Sequence, residues 1–211
     1  MVVLVCLGSD CGCLPARRVP RGGFGLGMSS GNTVAGAMAF EFRDFKDLTE
    51  GVVDLLVEKT EPADPSRGHV PCYHFRILLH QTSEPIGKIR LRVGHVPVLL
   101  IVGHVGFDID EPHRGHGYAA RACVLVRQAA LVHGLDKLVI AYDPDNVASR
   151  KTCEQIGATF VGIADVPEDH ELYRQGERTV ARYDWNLGVT VGKARESSRI
   201  GVPTSALGPL L

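Results

Sequence analysis

The chain has 211 residues, of which 45% are hydrophobic and 22% charged, a composition typical of globular proteins. Its formal net charge of -1 gives no general attraction to nucleic acid or anionic membranes, so any anion site must be local. The six cysteines lack C-x-x-C spacing, and no histidine pair follows at zinc-finger spacing. This pattern indicates reduced thiols in a cytoplasmic protein.

The two ends of the chain differ in composition from its middle. Residues 1–37 open with an apolar stretch too short to span a membrane and continue with Gly, Pro, Ser and Arg, which predicts a disordered extension. We interpret Met28 and Met38 as candidates for a later start site. Residues 188–211 contain Gly, Ser and Pro with little periodicity and predict a disordered tail. One folded domain is therefore expected over residues 38–187.

The first part of this domain is predicted to be mostly β. Residues 38–45 alternate loosely and predict a first strand, whereas residues 52–57 form an apolar stripe at helical spacing, with Thr49 or Asp47 as N-cap. A proline-containing loop follows over residues 61–71. Three runs typical of strands come next, at residues 72–80, 86–93 and 98–109. Together they predict an antiparallel meander.

The apolar period then changes along the chain. A helix is predicted from Gly117 to the glycine stop at Gly134, and a second one over residues 147–156, stopped by Gly157. Strands are predicted at residues 137–142, 158–166 and 179–185. Alternating strands and helices indicate a βαβ element joined to the meander. The expected fold class is a mixed α/β domain with a largely antiparallel sheet flanked by helices on both faces.

The most informative segment is residues 109–119, where a strand ends, a loop of small residues follows and a helix begins. Helix N-termini present unpaired N–H groups to anions, and Gly115 and Gly117 let the backbone approach a phosphate while Arg114 adds a positive charge. A plain tight turn is the alternative. A dinucleotide fingerprint lacks its third glycine, and a P-loop lacks Gly-Lys-Ser/Thr.

The run Arg114-Gly115-His116-Gly117-Tyr118-Ala119 resembles the Gln/Arg-x-x-Gly-x-Gly/Ala signature of the GNAT superfamily of N-acetyltransferases. A second match lies downstream, where residues 145–149 and 156–158 are similar to the Asn-x-x-Ser/Ala helix of that family and its glycine turn. One helix and one strand separate the two motifs. The resemblance covers roughly residues 72 to 187 and implies an acetyl-CoA-binding fold with a V-shaped opening in the sheet.

The resemblance implies a role for each matching position. The main chain of Phe107, Asp108 and Ile109 would hold the pantetheine arm of acetyl-CoA, and Asn146 and Ser149 would contact the cofactor from the second helix. For Asn146, a plain N-cap is an alternative that is compatible with this role. The pyrophosphate would be held by the turn, that is by Arg114, Gly115, His116, Gly117, Tyr118 and Ala119.

Catalytic residues are less clearly marked. Many members of the family carry a tyrosine, thought to protonate the leaving thiolate, where this chain has Cys153, so Cys153, Tyr142 or a water is the candidate acid. Asp108 is the candidate base, with His104 as a second. For each of these residues a purely structural or surface role is the competing interpretation. We expect no metal, because alternation and loops would scatter the neighbouring histidines.

The sequence therefore predicts an acetyltransferase that moves an acetyl group from acetyl-CoA, as co-substrate, to a primary amine of a small molecule or a protein in a ternary complex. The substrate wall would come from the predicted first helix and the loop over residues 61–71. Apart from the acceptor, we expect no nucleic acid or membrane as a partner. The sequence does not decide whether the chain forms a homodimer. Two alternatives remain: a non-catalytic acyl-CoA sensor or scaffold, and another nucleotide-phosphate binder.

Overall fold

The structure is a computed structural model that describes residues 40–46 and 48–188. The extension predicted over residues 1–37 lies outside the described residues, and so does the predicted tail apart from Gly188. Asp47, one of the two predicted N-caps, is also outside them.

Eight strands form one sheet in the order β1-β2-β3-β4-β5-β6-β8-β7. Every neighbouring pair is antiparallel except β5 and β6, which run parallel, so the predicted mixed and largely antiparallel sheet is confirmed. The strands are β1 Leu48–Thr49, β2 Val53–Glu61, β3 Cys72–Leu79, β4 Pro85–Arg92, β5 Val105–Ile109, β6 Lys137–Tyr142, β7 Thr159–Asp165 and β8 Thr179–Asn186.

Alternation of apolar and polar residues explains why the central strands form. In β4, Ile89 and Leu91 are buried in the core, whereas Lys88 and Arg90 point to the other face. A period of two residues places alternate side chains on opposite faces of a strand, so a single sequence pattern specifies both the strand and its buried face. The predicted strands at residues 72–80 and 86–93 are confirmed.

The predicted helix over residues 52–57 is wrong, because this segment is the strand β2. Its apolar residues fit two periods, and the pairing of β2 with β3 decides between them. Val53 and Leu55 point into the core, whereas Leu56, which a helical stripe would bury, is 57% exposed. Thr49 belongs to β1 and caps no helix. The substrate wall therefore has no helix at residues 52–57 to draw on, and its loop part, residues 61–71, stays a prediction.

Two further segments differ from the prediction. The described part of the predicted first strand, residues 40–45, is not a strand. It packs through aromatic rings instead, and Phe42 and Phe45 contact Tyr73 edge-on. The predicted strand over residues 98–109 begins with a short helix, since Gly103 ends that helix and only Val105–Ile109 pairs with β4.

In the described part of the chain, four α-helices flank the sheet: α1 Leu99–Val102, α2 Tyr118–Val132, α3 Val147–Gln155 and α4 Glu171–Arg174. Apolar residues of α2 and α3 pack in the main core on one face, and residues of α1 and α4 pack in a smaller cluster around Ala141 on the other. Neighbouring residues of β6 divide between the two clusters, with Ile140 in the first and Ala141 in the second. Among the described residues, none of these helices is long and apolar enough to cross a membrane.

Candidate active site

The two parallel strands β5 and β6 pair at a single position, Val105 with Ile140. Just before it, the His104 N–H donates a 2.7 Å hydrogen bond to the Val139 carbonyl. Within the described residues, no register pair joins the two strands beyond this point, although both continue toward their C-terminal ends. The sheet therefore opens between β5 and β6, as the predicted V-shaped opening requires.

The His104 side chain fastens the closed end of this opening. Its Nδ1 accepts a 3.0 Å hydrogen bond from the Val139 N–H, and its Nε2 lies 3.1 Å from the Gly94 carbonyl oxygen, to which it donates. Burial lowers the pKa of His104, because the charged imidazolium would lose its solvation. Both ring nitrogens are engaged in structural bonds, so His104 is a positioning group rather than a free base.

A small cavity occupies the opening. The wall consists of Val105, Gly106, Phe107, Ile140, Ala141, Tyr142 and Ser149, from β5, β6 and α3. Two residues predicted to contact the cofactor, Phe107 and Ser149, thus face one space. Ile109 differs: its side chain lies in the core cluster, so only its main chain is available to a ligand.

The turn after β5 connects the opening to the start of α2. A single turn of 3-10 helix, Glu111–His113, is followed by Gly115 and Gly117, whose φ angles of 84° and 74° lie in the left-handed region. Glycine adopts this region without steric cost, which is why the chain can turn here twice within three residues. Gly117 caps α2 but contributes no side-chain hydrogen bond, so the first N–H groups of the helix stay available to an anion.

The remaining residues of the predicted phosphate turn surround this helix start. His116 and Tyr118 stack with ring centroids 5.4 Å apart, and His116 Nδ1 lies 3.2 Å from the His113 carbonyl oxygen. Ala119 is buried against the core. The backbone from Gly115 to Ala119 is therefore the part of the turn that can meet a ligand, with the His116 and Tyr118 rings at its rim.

Arg114 lies across the mouth of the turn. Its Nε donates a 2.8 Å hydrogen bond to the Ile109 carbonyl, and its Nη2 lies 3.7 Å from Asp108 Oδ1. The guanidinium thus closes the turn on the end of β5. Because the side chain is 41% exposed, its remaining N–H groups can also bind an anion from solvent.

Asp108 sits on β5 between Phe107 and Ile109, and its side chain is 34% exposed. Burial raises the pKa of this carboxyl, and the Arg114 charge partly opposes the rise. Alternation places Asp108 and Gly106 on the face away from α2, since Val105, Phe107 and Ile109 pack in the α2-side core. The carboxylate can therefore act on a molecule that approaches from the face opposite α2.

Asn146 and Ser149 begin α3. The Asn146 side-chain oxygen accepts a 3.0 Å hydrogen bond from the Ser149 N–H, which is N-cap geometry. Its amide NH₂ is a donor that this bond does not use. Ser149 is only 5% exposed and lines the cavity. The cap fixes the first turn of α3 and holds Ser149 against the opening.

The two candidate acids have different environments. Cys153 is fully buried in the core and is not among the residues that line the cavity. Burial raises the pKa of its thiol to about 12. Tyr142 does line the cavity, at the open end of β6, and its ring stacks on Tyr183. Burial raises the Tyr142 pKa above its ordinary value, so the phenol stays protonated at neutral pH.

Three residues of the cavity wall carry no signal of this role in the sequence: Val105, Ile140 and Ala141. Ile140 and Ala141 read as an ordinary buried strand, and nothing local marks them as lying beside β5. The glycine inside β5, Gly106, was the one available signal, because glycine within a strand often marks a close approach of another group.

Comparisons with known proteins give one family match and several partial structural matches. The family model for the acetyltransferase (GNAT) domain matches residues 39–159, more than half of the chain. No curated protein sequence matches significantly.

Several solved structures are similar over part of their length. An acetyltransferase from Agrobacterium tumefaciens is 30% identical, with 54% of this chain and 60% of that chain covered and a TM-score of 0.41. A ribosomal-protein-S5-alanine acetyltransferase from Vibrio fischeri is 22% identical, with 56% and 62% covered and a TM-score of 0.45. A microcin C7 self-immunity acetyltransferase, solved with acetyl-CoA and AMP, is 16% identical, with 55% and 61% covered and a TM-score of 0.42. The chain thus spans about three fifths of the length of these proteins.

Proposed function

This chain belongs to the GNAT acetyltransferase family, and we propose that it transfers an acetyl group from acetyl-CoA to a primary amine by direct attack in a ternary complex. One observation carries the proposal. The cavity lined by Phe107 and Ser149 lies beside strand β5. The start of α2, whose free N–H groups suit a diphosphate, follows the same strand in the chain. A ligand with a charged head and a thin arm, such as coenzyme A, fits this arrangement.

The residues of the turn fit such a head group. Gly115 has no heavy atom within 4 Å of where a Cβ would stand, and the N–H groups that open α2 are uncapped by side chains. Phosphate oxygens would accept hydrogen bonds from the backbone of Gly115 to Ala119, and Arg114 would add a charge-assisted bond. Asn146 and Ser149 would hold the arm from the α3 side, and the main chain of Phe107, Asp108 and Ile109 from β5.

The remaining chemistry requires a base and an acid. Acetyl-CoA supplies an activated acetyl group as a thioester. Asp108, on the face away from α2, would accept the proton of the incoming ammonium, either directly or through a water. Tyr142 lies in the cavity wall and would donate a proton to the departing thiolate, a role for which the buried Cys153 has no access. Backbone N–H groups of β5 would stabilise the oxyanion.

The test is thiol release. The purified full chain is incubated with acetyl-CoA and a panel of primary amines, and free coenzyme A is followed with a thiol reagent. We expect release that depends on both protein and amine, together with a mass gain of one acetyl group on the amine. Competition of coenzyme A against ATP and NAD, measured by calorimetry, tests the identity of the head group. Equal binding of all three would contradict the proposal.

A second function, binding of acyl-CoA without catalysis, has one observation in its favour. The position where many family members carry the tyrosine acid holds the core residue Cys153. Tight binding of acetyl-CoA without thiol release for any amine of the panel would support this alternative. Turnover that falls in Tyr142→Phe, with unchanged acetyl-CoA affinity, would exclude it.

A further inference from the structure

Two arginines flank the small residues of the opening. The register places Arg90 of β4 opposite Gly106 of β5, and Arg182 of β8 opposite Ala141 of β6. Gly106 and Ala141 both line the cavity. Across the sheet, the order at this level is therefore arginine, glycine, alanine, arginine, and the opening lies between the two small residues.

Both arginines project from the same face of the sheet. Their strand neighbours Ile89 and Leu91, and Ala181 and Tyr183, pack in the α2-side core, so Arg90 and Arg182 point to the opposite face. This is the face that also carries Asp108. With strands about 4.8 Å apart, β4 and β8 are roughly 14 Å from each other, a span that a small bound molecule between the two side chains can bridge.

The Arg90 side chain runs over the glycine. Its Cγ, Cδ and Nε lie 3.5, 3.7 and 3.8 Å from where a Gly106 Cβ would stand, which is van der Waals distance, so the arginine side chain covers the glycine. The Nε atoms of Arg90 and of Arg182 are both buried, and neither has a hydrogen-bond partner within the described part of the chain. A buried N–H donor without an acceptor is costly, and a charged one more so.

Among the described residues, neither of these two guanidinium groups forms an ion pair with a carboxylate, because the neighbouring carboxylates are paired elsewhere. Asp108 faces Arg114 at 3.7 Å, and Asp184 of β8 is paired with Lys137 at 3.1 Å. Lys88 and Arg92, on either side of Arg90 along β4, add positive charge to the same face. Arg92 is directed to the carbonyls of Val102 and Gly103 at the end of α1.

We propose that Arg90 and Arg182 form the acceptor subsite, and that the acceptor is a small primary amine that carries an oxyanion, a carboxylate or a phosphate. The proposal rests on the acetyltransferase function stated above and names its substrate class. The oxyanion receives hydrogen bonds from both guanidinium groups on the face opposite α2. This anchors the amine above Gly106 and Ala141, beside the thioester and within reach of Asp108.

The experiment compares three matched amines, β-alanine, O-phosphoethanolamine and propylamine, in the thiol-release assay. We expect kcat/KM for the preferred anionic amine to exceed that for propylamine by about tenfold or more, the size typical of charge-assisted hydrogen bonds. In Arg90→Gln and in Arg182→Gln this advantage disappears through a higher KM, while kcat/KM for propylamine and acetyl-CoA affinity stay within about twofold. Preference for β-alanine or for O-phosphoethanolamine distinguishes carboxylate from phosphate.

Arg76→Gln is the matched control, since Arg76 lies on the same face but is paired with Glu58. It is expected to leave the selectivity unchanged. Two results would overturn the proposal. One is equal kcat/KM for all three amines, and the other is a loss of kcat/KM in Arg90→Gln and Arg182→Gln that is as large for propylamine as for the anionic amines. If no amine causes release of free coenzyme A, the proposed acetyltransferase function fails, and the subsite proposal is left to a separate test. Calorimetric binding of inorganic phosphate and β-alanine to the coenzyme A complex then tests the subsite alone, and binding that is equal in wild type and Arg90→Gln overturns it.

Discussion

Arg114 donates a 2.8 Å hydrogen bond from its Nε to the carbonyl of Ile109, five residues earlier in the chain. The guanidinium of the proposed phosphate turn is thus also the clamp that fixes the turn to the end of β5. The same group lies 3.7 Å from Asp108, so it connects the proposed pyrophosphate site to the candidate base. We therefore expect substitution of Arg114 to change both the affinity for acetyl-CoA and the pH dependence of kcat/KM.

The first prediction concerns this clamp. Arg114→Ala should weaken acetyl-CoA binding by about 10- to 100-fold, because it removes a charge-assisted hydrogen bond worth about 1.5–3 kcal/mol. Arg114→Lys should recover only part of the loss, since lysine keeps the charge but cannot make the Nε bond and the phosphate contact together. Calorimetric titration measures both. The control is Arg121→Ala, because Arg121 lies on α2 and is paired with Glu50. An equal loss of acetyl-CoA affinity in this variant would refute a specific role for Arg114.

The second prediction compares two glycines with the same φ of 74°, Gly117 at the start of α2 and Gly134 after its end. Gly117→Glu should abolish acetyl-CoA binding, because the carboxylate repels phosphate and the side chain crowds the helix start. Gly117→Ala should weaken binding, since a residue with a Cβ is strained at a φ of 74° and this strain falls on the helix start that binds the phosphates.

Gly134→Ala introduces similar strain with no atom nearby, so it should lower stability by about 1 kcal/mol and leave affinity intact. Thermal unfolding measures the loss of stability, and calorimetric titration measures the affinity for acetyl-CoA. Wild-type affinity in Gly117→Glu would place the diphosphate elsewhere.

The third prediction is that Tyr142→Phe lowers kcat by about 100- to 10,000-fold with little change in acetyl-CoA affinity. Removal of the phenolic proton takes away the proposed general acid, whose contribution is of this order. Steady-state kinetics at saturating acetyl-CoA provides the measurement. Cys153→Ala should affect stability instead of kcat, because the thiol is buried in the core. The reverse outcome would assign the acid to Cys153.

The fourth prediction is a pH profile. Burial raises the pKa of Asp108 above its ordinary value of 3.8, and a base acts only when deprotonated, so kcat/KM should rise with pH through that higher pKa. Because the Arg114 charge lowers this pKa, Arg114→Gln should shift the acidic limb to higher pH. The limb should vanish in Asp108→Asn together with most of the activity. An acidic limb that persists in Asp108→Asn would point to another base.

The fifth prediction concerns stability. Burial lowers the pKa of His104 below its ordinary value of 6.5, so the folded chain binds this proton less readily than the unfolded chain. The contribution of neutral His104 is therefore fully present above about pH 6.5 and is lost as the pH falls through the lower folded value. Urea denaturation between pH 7.5 and 5 should show this loss, and His104→Gln should show a shallower one. Part of the slope should remain, because burial lowers the pKa of His74, His133 and His170 as well. An unchanged slope would contradict the assignment.

The sequence by itself determined the elements whose signals are local. The glycines around α2, the Asn146 cap of α3 and the alternation in β4 specify their structures from a few adjacent residues. The glycines of the turn and Asn146 also carried the resemblance to the family. The candidate phosphate turn could also be predicted, because a glycine-rich helix start depends only on residues that are consecutive in the chain.

Tertiary structure decided what depends on distant partners. Residues 52–57 fit a helix and a strand equally well until pairing with β3 selects the strand, because hydrogen bonds to a neighbouring strand are absent from the local sequence. The opening itself arises where β5 and β6 stop pairing, and its wall joins Gly106 of β5 to Ala141 of β6, with the whole of α2 between them in the chain. The roles of His104, Cys153 and the two arginines follow from that juxtaposition, since burial and hydrogen-bond partners are properties of the folded chain alone.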